Sequence, residues 1–167
     1  MTFCPLAWQY LIDRFAVKSM MDMGSGYGYC ADFFHRRSVK TIAVDGLAEN
    51  VEHAIFPTVY HDFSKGAFRC KVDLVHCQEM VEHVHELFVE NLLKTFRCAN
   101  IVVLTHAFPG QAGYHHVNCQ ESQYWIDKMA FFGFKLLDID TERLRKLAEK
   151  DGAIHLARSG LVFSKSS

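Results

Sequence analysis

Met21-Asp22-Met23-Gly24-Ser25-Gly26-Tyr27-Gly28 is the stretch whose reading decides the fold. An apolar run leads into three glycines at alternate positions, and the next apolar run, Thr41-Ile42-Ala43-Val44, ends on Asp45. Glycines let a turn adopt backbone angles that a side chain would block, and let the backbone approach a ligand closely. A carboxylate at the following strand end can accept hydrogen bonds from a ribose diol. The pattern is that of a nucleotide-type cofactor held at the first two strand ends of a doubly wound sheet.

The spacing narrows the cofactor. A dinucleotide fingerprint reads G-x-G-x-x-G, with a pyrophosphate at a helix N-terminus. Here the third glycine comes one residue early, and Asp22 stands just before the turn. A carboxylate there would repel a pyrophosphate but suits a ligand that carries an ammonium and a sulfonium. S-adenosylmethionine is such a ligand. The plain alternative is a turn without a ligand, tied down by Asp22, with Asp45 and Asp62 acting as turn or cap residues.

Outward from this stretch, apolar positions at helical spacing predict a helix over residues 5–15. A first strand is expected over 19–22, a helix over 29–37, a strand over 41–44, a helix over 47–55 and a strand over 58–60. Apolar positions at a period near 3.6 predict one long helix over 81–97. Residues 106–118 contain Pro109, Gly110 and Gly113 and read as a loop, before a helix over 121–131. Strands alternating with helices imply a parallel sheet.

At these residues the chain resembles the class I S-adenosylmethionine-dependent methyltransferases. The resemblance extends to Tyr60-His61-Asp62-Phe63 as a third strand end and to Val72–Glu79 as the fourth strand and the start of its helix. It takes in Ile101–Thr105 as the fifth strand, and Phe132–Leu137 with Gly160–Phe163 as a terminal antiparallel pair. It implies an α/β, doubly wound, Rossmann-like sheet of seven mostly parallel strands with helices on both faces, as one domain over 1–167. It also implies cofactor contacts at Asp22, Gly24, Ser25, Gly26, Gly28, Asp45, Asp62, Phe63 and Gln78. Asp22 would meet the amino-acid end, Asp45 the ribose, and Asp62 with Phe63 the adenine.

Glu79, Glu82 and His83 stand at i, i+3 and i+4, one face of a helix leaving the fourth strand. Two carboxylates and an imidazole suit magnesium or a similar divalent cation better than a structural zinc. His115 or His116 could add a ligand from the loop after the fifth strand. Glu79-Met80-Val81-Glu82-His83 resembles the E-x-x-E-H motif of the ubiquinone-biosynthesis O-methyltransferases and of the small-RNA 3′-end 2′-O-methyltransferases. The latter group adds a downstream histidine. In both, the motif goes with a divalent metal. A metal-free polar site with His83, His115 and His116 as catalytic groups is the competing reading, and helix capping the plainest one.

Half of the 167 residues are apolar, enough for a real core, and the net charge of −1 leaves no broad basic footprint for long nucleic acids. Arg143, Arg145, Lys146 and Lys150 read as a solvated helix face. The six cysteines form no C-x-x-C pair and read as reduced thiols of a cytoplasmic protein, without a signal peptide or a membrane span. The function expected is O-methylation of a small hydroxyl-bearing acceptor. RNA-end 2′-O-methylation, a non-catalytic cofactor-binding subunit working with a partner or as an oligomer, and a nucleotide-dependent oxidoreductase are the alternatives.

Overall fold

Strand β1 (Ser19–Met23) alternates its side chains between two hydrophobic layers, and that alternation organises the molecule. The computed structural model describes residues 2–166. Met21 and Met23 enter one core, and Met20 the other. A strand covered on both faces reads as a continuous apolar run, and β1 does so apart from Ser19 at its start and Asp22.

The elements follow as α1 (Pro5–Phe15), β1, α2 (Tyr29–His35), β2 (Lys40–Asp45), α3 (Ala48–His53), β3 (Thr58–Tyr60) and β4 (Val72–Cys77). Then come α4 (Val89–Phe96), β5 (Ala99–Leu104), α5 (Ser122–Phe131), β6 (Phe134–Leu136), α6 (Asp138–Lys150), α7 (Ile154–Ser159) and β7 (Leu161–Lys165). The seven strands lie in the order β3-β2-β1-β4-β5-β7-β6. Strands β1 to β5 pair in parallel, and β7 runs antiparallel to both β5 and β6. The fold is the doubly wound sheet with an antiparallel C-terminal pair. Strand order reverses between β1 and β4, and the carboxyl ends of the strands at such a point are where open α/β sheets bind ligands.

One face of the sheet is covered by α4 and α5, with Leu92, Phe96, Trp125 and Met129 against Met21, Val75 and Val102. The other is covered by α1, α2 and α6, with Trp8, Leu11, Phe34 and Leu144 against Met20, Leu74 and Val103. Each such fully buried side chain stabilises by roughly 1.5–3 kcal/mol. Helix α1 starts with Pro5 in its first turn, and its free Leu6 and Ala7 N–H groups donate to Asp151 Oδ2 at 2.9 and 3.3 Å. Among the described residues no helix is long and apolar enough to cross a membrane.

The expected long helix over 81–97 is broken. Val81–His83 and Glu86–Phe88 are single 3₁₀ turns, and the α-helix begins only at Val89. The cause is non-local. The Glu82 carbonyl accepts from Val117 N at 3.0 Å and Asn118 N at 3.1 Å, so the loop after β5 has taken the acceptor that an α-helix would give to residue 86. The C-terminal third holds more helix than expected, with the Arg143–Lys150 cluster on the thirteen-residue α6.

Candidate active site at the strand ends

The glycine turn is built by its own backbone. Gly24 and Ser25 N–H groups both donate to Val44 O, at 2.9 and 3.1 Å, locking the end of β1 to the end of β2. Gly24 has φ +73°, and a Cβ added there would collide with the Met80 side chain. Gly28 closes the turn at φ +82° and leads into α2. Asp45, nearly buried, accepts from Gly26 N at 2.8 Å through one oxygen, and from Leu47 N at 2.8 Å and Asn50 Nδ2 at 3.1 Å through the other. It therefore clamps the glycine turn to the start of α3.

Asp22 lies beneath the turn. One oxygen accepts from Ala31 N in α2 at 3.2 Å, and the other faces His76 Nδ1 at 3.3 Å. Trp8 Nε1 and Cys30 Sγ complete a buried group around His76, at 3.2 and 3.4 Å. Asp22, Cys30 and His76 have a metal-like constellation. Trp8 argues against that use, because an indole N–H only donates. His76 Nε2 must accept it, so Nδ1 carries the proton and is not free to bind a cation.

The other expected cofactor residues divide. Asp62 Oδ1 accepts from Ser64 N at 2.8 Å, and the Ser64 hydroxyl and N–H hold its carboxyl below the usual range. The Phe63 ring is buried in the core and packs edge-on against His61. Ser25 Oγ is buried and has no hydrogen-bond partner among the described residues. Gln78 is engaged by the N-terminal segment, donating to Thr2 O at 3.2 Å.

Beyond β4 the chain enters a left-handed turn at Glu79, φ +54°. Glu79 is thereby directed to the β5 and α7 side: Thr105 Oγ1 donates to its Oε1 at 2.9 Å, and His155 Nδ1 lies 3.0 Å from its Oε2. Glu82 points elsewhere. Its side chain is fully buried, and neither carboxylate oxygen has a hydrogen-bond partner among the described residues. Burial, with the nearby Glu79 charge, pushes its carboxyl up to about 7. The Glu82, His83 and His116 ligand atoms all lie within 4.8 Å of one another.

The two imidazoles of this cluster are oriented alike. His83 Nδ1 donates to His115 O at 3.2 Å, and His116 Nδ1 donates to Gln111 O at 3.2 Å. A carbonyl can only accept, so each ring carries a proton on Nδ1, and the Nε2 edge of His116 lies against Gly113, where an added Cβ would collide with it. Burial lowers the His83 pKa and favours its neutral form. His115 contributes its carbonyl, while its own side chain is exposed at φ +55°. So of the residues singled out from sequence, Glu82, His83 and His116 meet at one point, whereas Glu79 and the His115 ring stand aside.

No family model matches this sequence, and no curated protein matches it. Solved structures do match in shape. An S-adenosylmethionine (SAM)-dependent methyltransferase from Archaeoglobus fulgidus is 14% identical, with 96% of this chain and 93% of that chain covered and a TM-score of 0.64. The methyltransferase domain of bacterial CtHen1-C is 14% identical, covering 98% of each chain at a TM-score of 0.64. The magnesium protoporphyrin IX methyltransferase from Synechocystis PCC 6803, with bound SAH, is 13% identical, with 95% of this chain and 80% of that one covered at 0.69.

The chain has the SAM-dependent methyltransferase fold. In that fold the rim carrying Gly24, Asp45, Glu82 and His116 is the carboxyl-end crevice where ligands bind in open α/β sheets. Trp8 and Cys30, buried in the layer of α1 and α2, and Thr105 were not singled out from the sequence. One signal existed for His76: it ends a strand as Asp22 does, at the same parity as the apolar residues facing α1.

Proposed function

We propose that this chain is a SAM-dependent methyltransferase that acts on a hydroxyl oxygen, with a divalent cation held by Glu82, His83 and His116. One observation carries this reading. A buried carboxylate with no hydrogen-bond partner among the described residues stands within 4.8 Å of a ring nitrogen of each of two imidazoles, on the same rim as the glycine turn. Buried polar groups are rarely left unpaired, and a buried charge needs a counter-charge. Two nitrogens and a carboxylate, each oriented by a backbone carbonyl or by packing, form a donor set that suits a divalent cation with open positions.

The cofactor supplies an electrophilic methyl on its sulfonium, and a bound cation supplies a lowered pKa for the acceptor hydroxyl. The chain supplies placement. Asp45 sets the turn against which a ribose would rest, and Asp22 places negative charge beneath the turn for a cationic amino-acid end. Met80, packed on Gly24, connects the turn to the Glu82 cluster. Glu79, tied to Thr105 and His155, borders the cluster from the α7 side.

Calorimetry with SAM and with S-adenosylhomocysteine, with and without magnesium or manganese, tests the first half. Transfer of labelled methyl to a panel of hydroxyl-bearing metabolites tests the second. Binding of both nucleosides and cation-dependent transfer are expected. Failure of both nucleosides to bind would remove the reading.

His116 favours one more specific acceptor. A downstream histidine is the feature that the small-RNA 3′-end enzymes add to the E-x-x-E-H motif, and here His116 joins Glu82 and His83. A terminal ribose 2′-hydroxyl is therefore the second acceptor to test. The net charge of −1 speaks for a small molecule instead. Oligonucleotide binding that weakens steeply with salt would decide for RNA.

A further inference from the structure

The cofactor cradle rests on a buried polar chain that begins in the N-terminal helix. Asp22 and His76 are direct partners across β1 and β4, at the point where strand order reverses. Both side chains face the layer formed by α1 and α2, because their neighbours Met20 and Leu74 belong to that core. Trp8 of α1 and Cys30 of α2 close over them, and Asp22, His76, Trp8 and Cys30 are 3%, 1%, 2% and 8% exposed.

Trp8 Nε1–H points at His76 Nε2 at 3.2 Å. That donor forces the ring to accept on Nε2 and to carry its proton on Nδ1. Nδ1–H then faces Asp22 Oδ1 at 3.3 Å. A second proton on the ring would set Nε2–H against the indole N–H, donor to donor. Asp22 and His76 therefore meet as a carboxylate and a neutral donor rather than as an ion pair. Among the described residues no Lys or Arg pairs with Asp22. A buried carboxylate that accepts hydrogen bonds but has no counter-charge favours a cation brought beside it.

Given the cofactor reading above, we propose that His76 is a positioning residue of the cradle, held in one tautomer by Trp8. In that state it orients Asp22 toward the cationic amino-acid end of the methyl donor while leaving its charge uncancelled. The ligand chemistry read here is an α-ammonium on a nucleoside thioether or sulfonium. The N-terminal helix thereby becomes part of the cofactor site without touching the cofactor.

The test compares two probes on the full chain: S-adenosylhomocysteine, which has the amino-acid end, and 5′-methylthioadenosine, which lacks it. Wild type should prefer the first. In His76→Phe the preference should collapse, with S-adenosylhomocysteine weakened about 10- to 100-fold, as for loss of a hydrogen bond to a charged group. Methylthioadenosine should change less than about threefold, well under one such bond. His76→Asn, whose amide can stand where Nδ1 stands, should restore most of the preference. Trp8→Phe keeps an aromatic ring in the core and removes only the donor. It should lose part of the preference and remains informative if His76→Phe does not fold. Nitrogen NMR on wild type should find Nδ1 protonated and Nε2 bare. Equal weakening of both probes in folded variants would make His76 merely structural and overturn the proposal, as would a wild type without preference. A wild type that binds neither probe would instead overturn the cofactor reading on which the proposal rests.

Discussion

At the ends of β1 and β2 each carboxylate oxygen has a donor: Asp45 holds Gly26, Leu47 and Asn50, and Asp22 holds Ala31 and His76. Further along the same rim, Glu82 has none on either oxygen among the described residues, and Asn118 Nδ2 is likewise buried and without a partner among them. An unsatisfied buried polar group costs about 1–3 kcal/mol, and more if charged. The carboxylates of the cradle are thus satisfied before a ligand arrives, though Ser25 Oγ in the turn is not, whereas both oxygens of Glu82 lack a donor among the described residues. A preformed cradle binds with little reorganisation. A receptacle trades folding stability for affinity toward whatever fills it.

The sharpest way to break this contrast is to empty the receptacle. Replacing Glu82 and His83 together by Ala should lower methyl transfer by at least about 100-fold, the scale on which acid–base and electrostatic groups act. S-adenosylhomocysteine affinity should change less than about twofold, because no hydrogen bond of the cradle is removed. Labelled-methyl assays and calorimetry on one preparation read both. Surviving transfer would remove the cluster from the chemistry.

Opposite signs in stability come next. Asp45→Ala removes the acceptor of Gly26 N, Leu47 N and Asn50 Nδ2, and should cost about 2–3 kcal/mol. Glu82→Gln, measured in chelator, should leave stability unchanged or raise it by about 1–2 kcal/mol, because it removes an uncompensated buried carboxylate. Thermal melts at neutral pH would show the two midpoints moving apart, by about 2–4 °C per kcal/mol. Divalent cation should then raise the wild-type midpoint and leave the Glu82→Gln midpoint nearly still.

The two regions also differed in how much of them could be read from sequence. The cradle is local: the glycine spacing and the apolar runs ending on Asp22 and Asp45 are contiguous patterns, and the resemblance they carry implied the sheet. The receptacle is not. Whether residues 81–97 form one helix depends on Val117 and Asn118 claiming the Glu82 carbonyl from thirty-odd residues away. The same docking decides that His116 and not the His115 ring enters the cluster, and no periodicity encodes that choice. Glu79 looks like a third ligand by spacing, yet its left-handed backbone turns it to Thr105 and His155. Trp8 and His76 were hidden for a related reason, since an aromatic residue and a histidine in apolar runs look like filler until the strands are paired.

Met80 lies between Glu79 and Glu82 in sequence and against Gly24 in space, so it connects the two regions. Gly24→Ala should cost about 1–3 kcal/mol, from its positive φ and from the collision with Met80. Met80→Ala in the same chain should recover the collision part and leave the backbone part. A double-mutant cycle on stability would give a coupling of at least about 0.5 kcal/mol if the contact joins the regions. A coupling near zero would make them independent neighbours.

The smallest effect comes from a clip at the other end of the same strands. Asp73, at the start of β4, accepts from Lys18 N, Ser19 N and Ser19 Oγ at 2.9, 2.9 and 3.1 Å. It does for β1 and β4 what Asp45 does for the glycine turn, but far from the crevice. Burial works against its ionisation, yet these hydrogen bonds outweigh it and hold its carboxyl below the usual range. A folded pKa below the unfolded one means stability that is present above the unfolded value of about 3.9 and is lost as pH falls through the folded value. Asp73→Asn should therefore cost about 0.5–1 kcal/mol near neutrality, discounted for solvent screening, and less as the pH drops below about 4. S-adenosylhomocysteine affinity should not move. If it does, strain at the amino ends of β1 and β4 is transmitted along the strands to Asp22 and His76. The contrast between a finished cradle and an open receptacle would then describe a sheet that adjusts as one body.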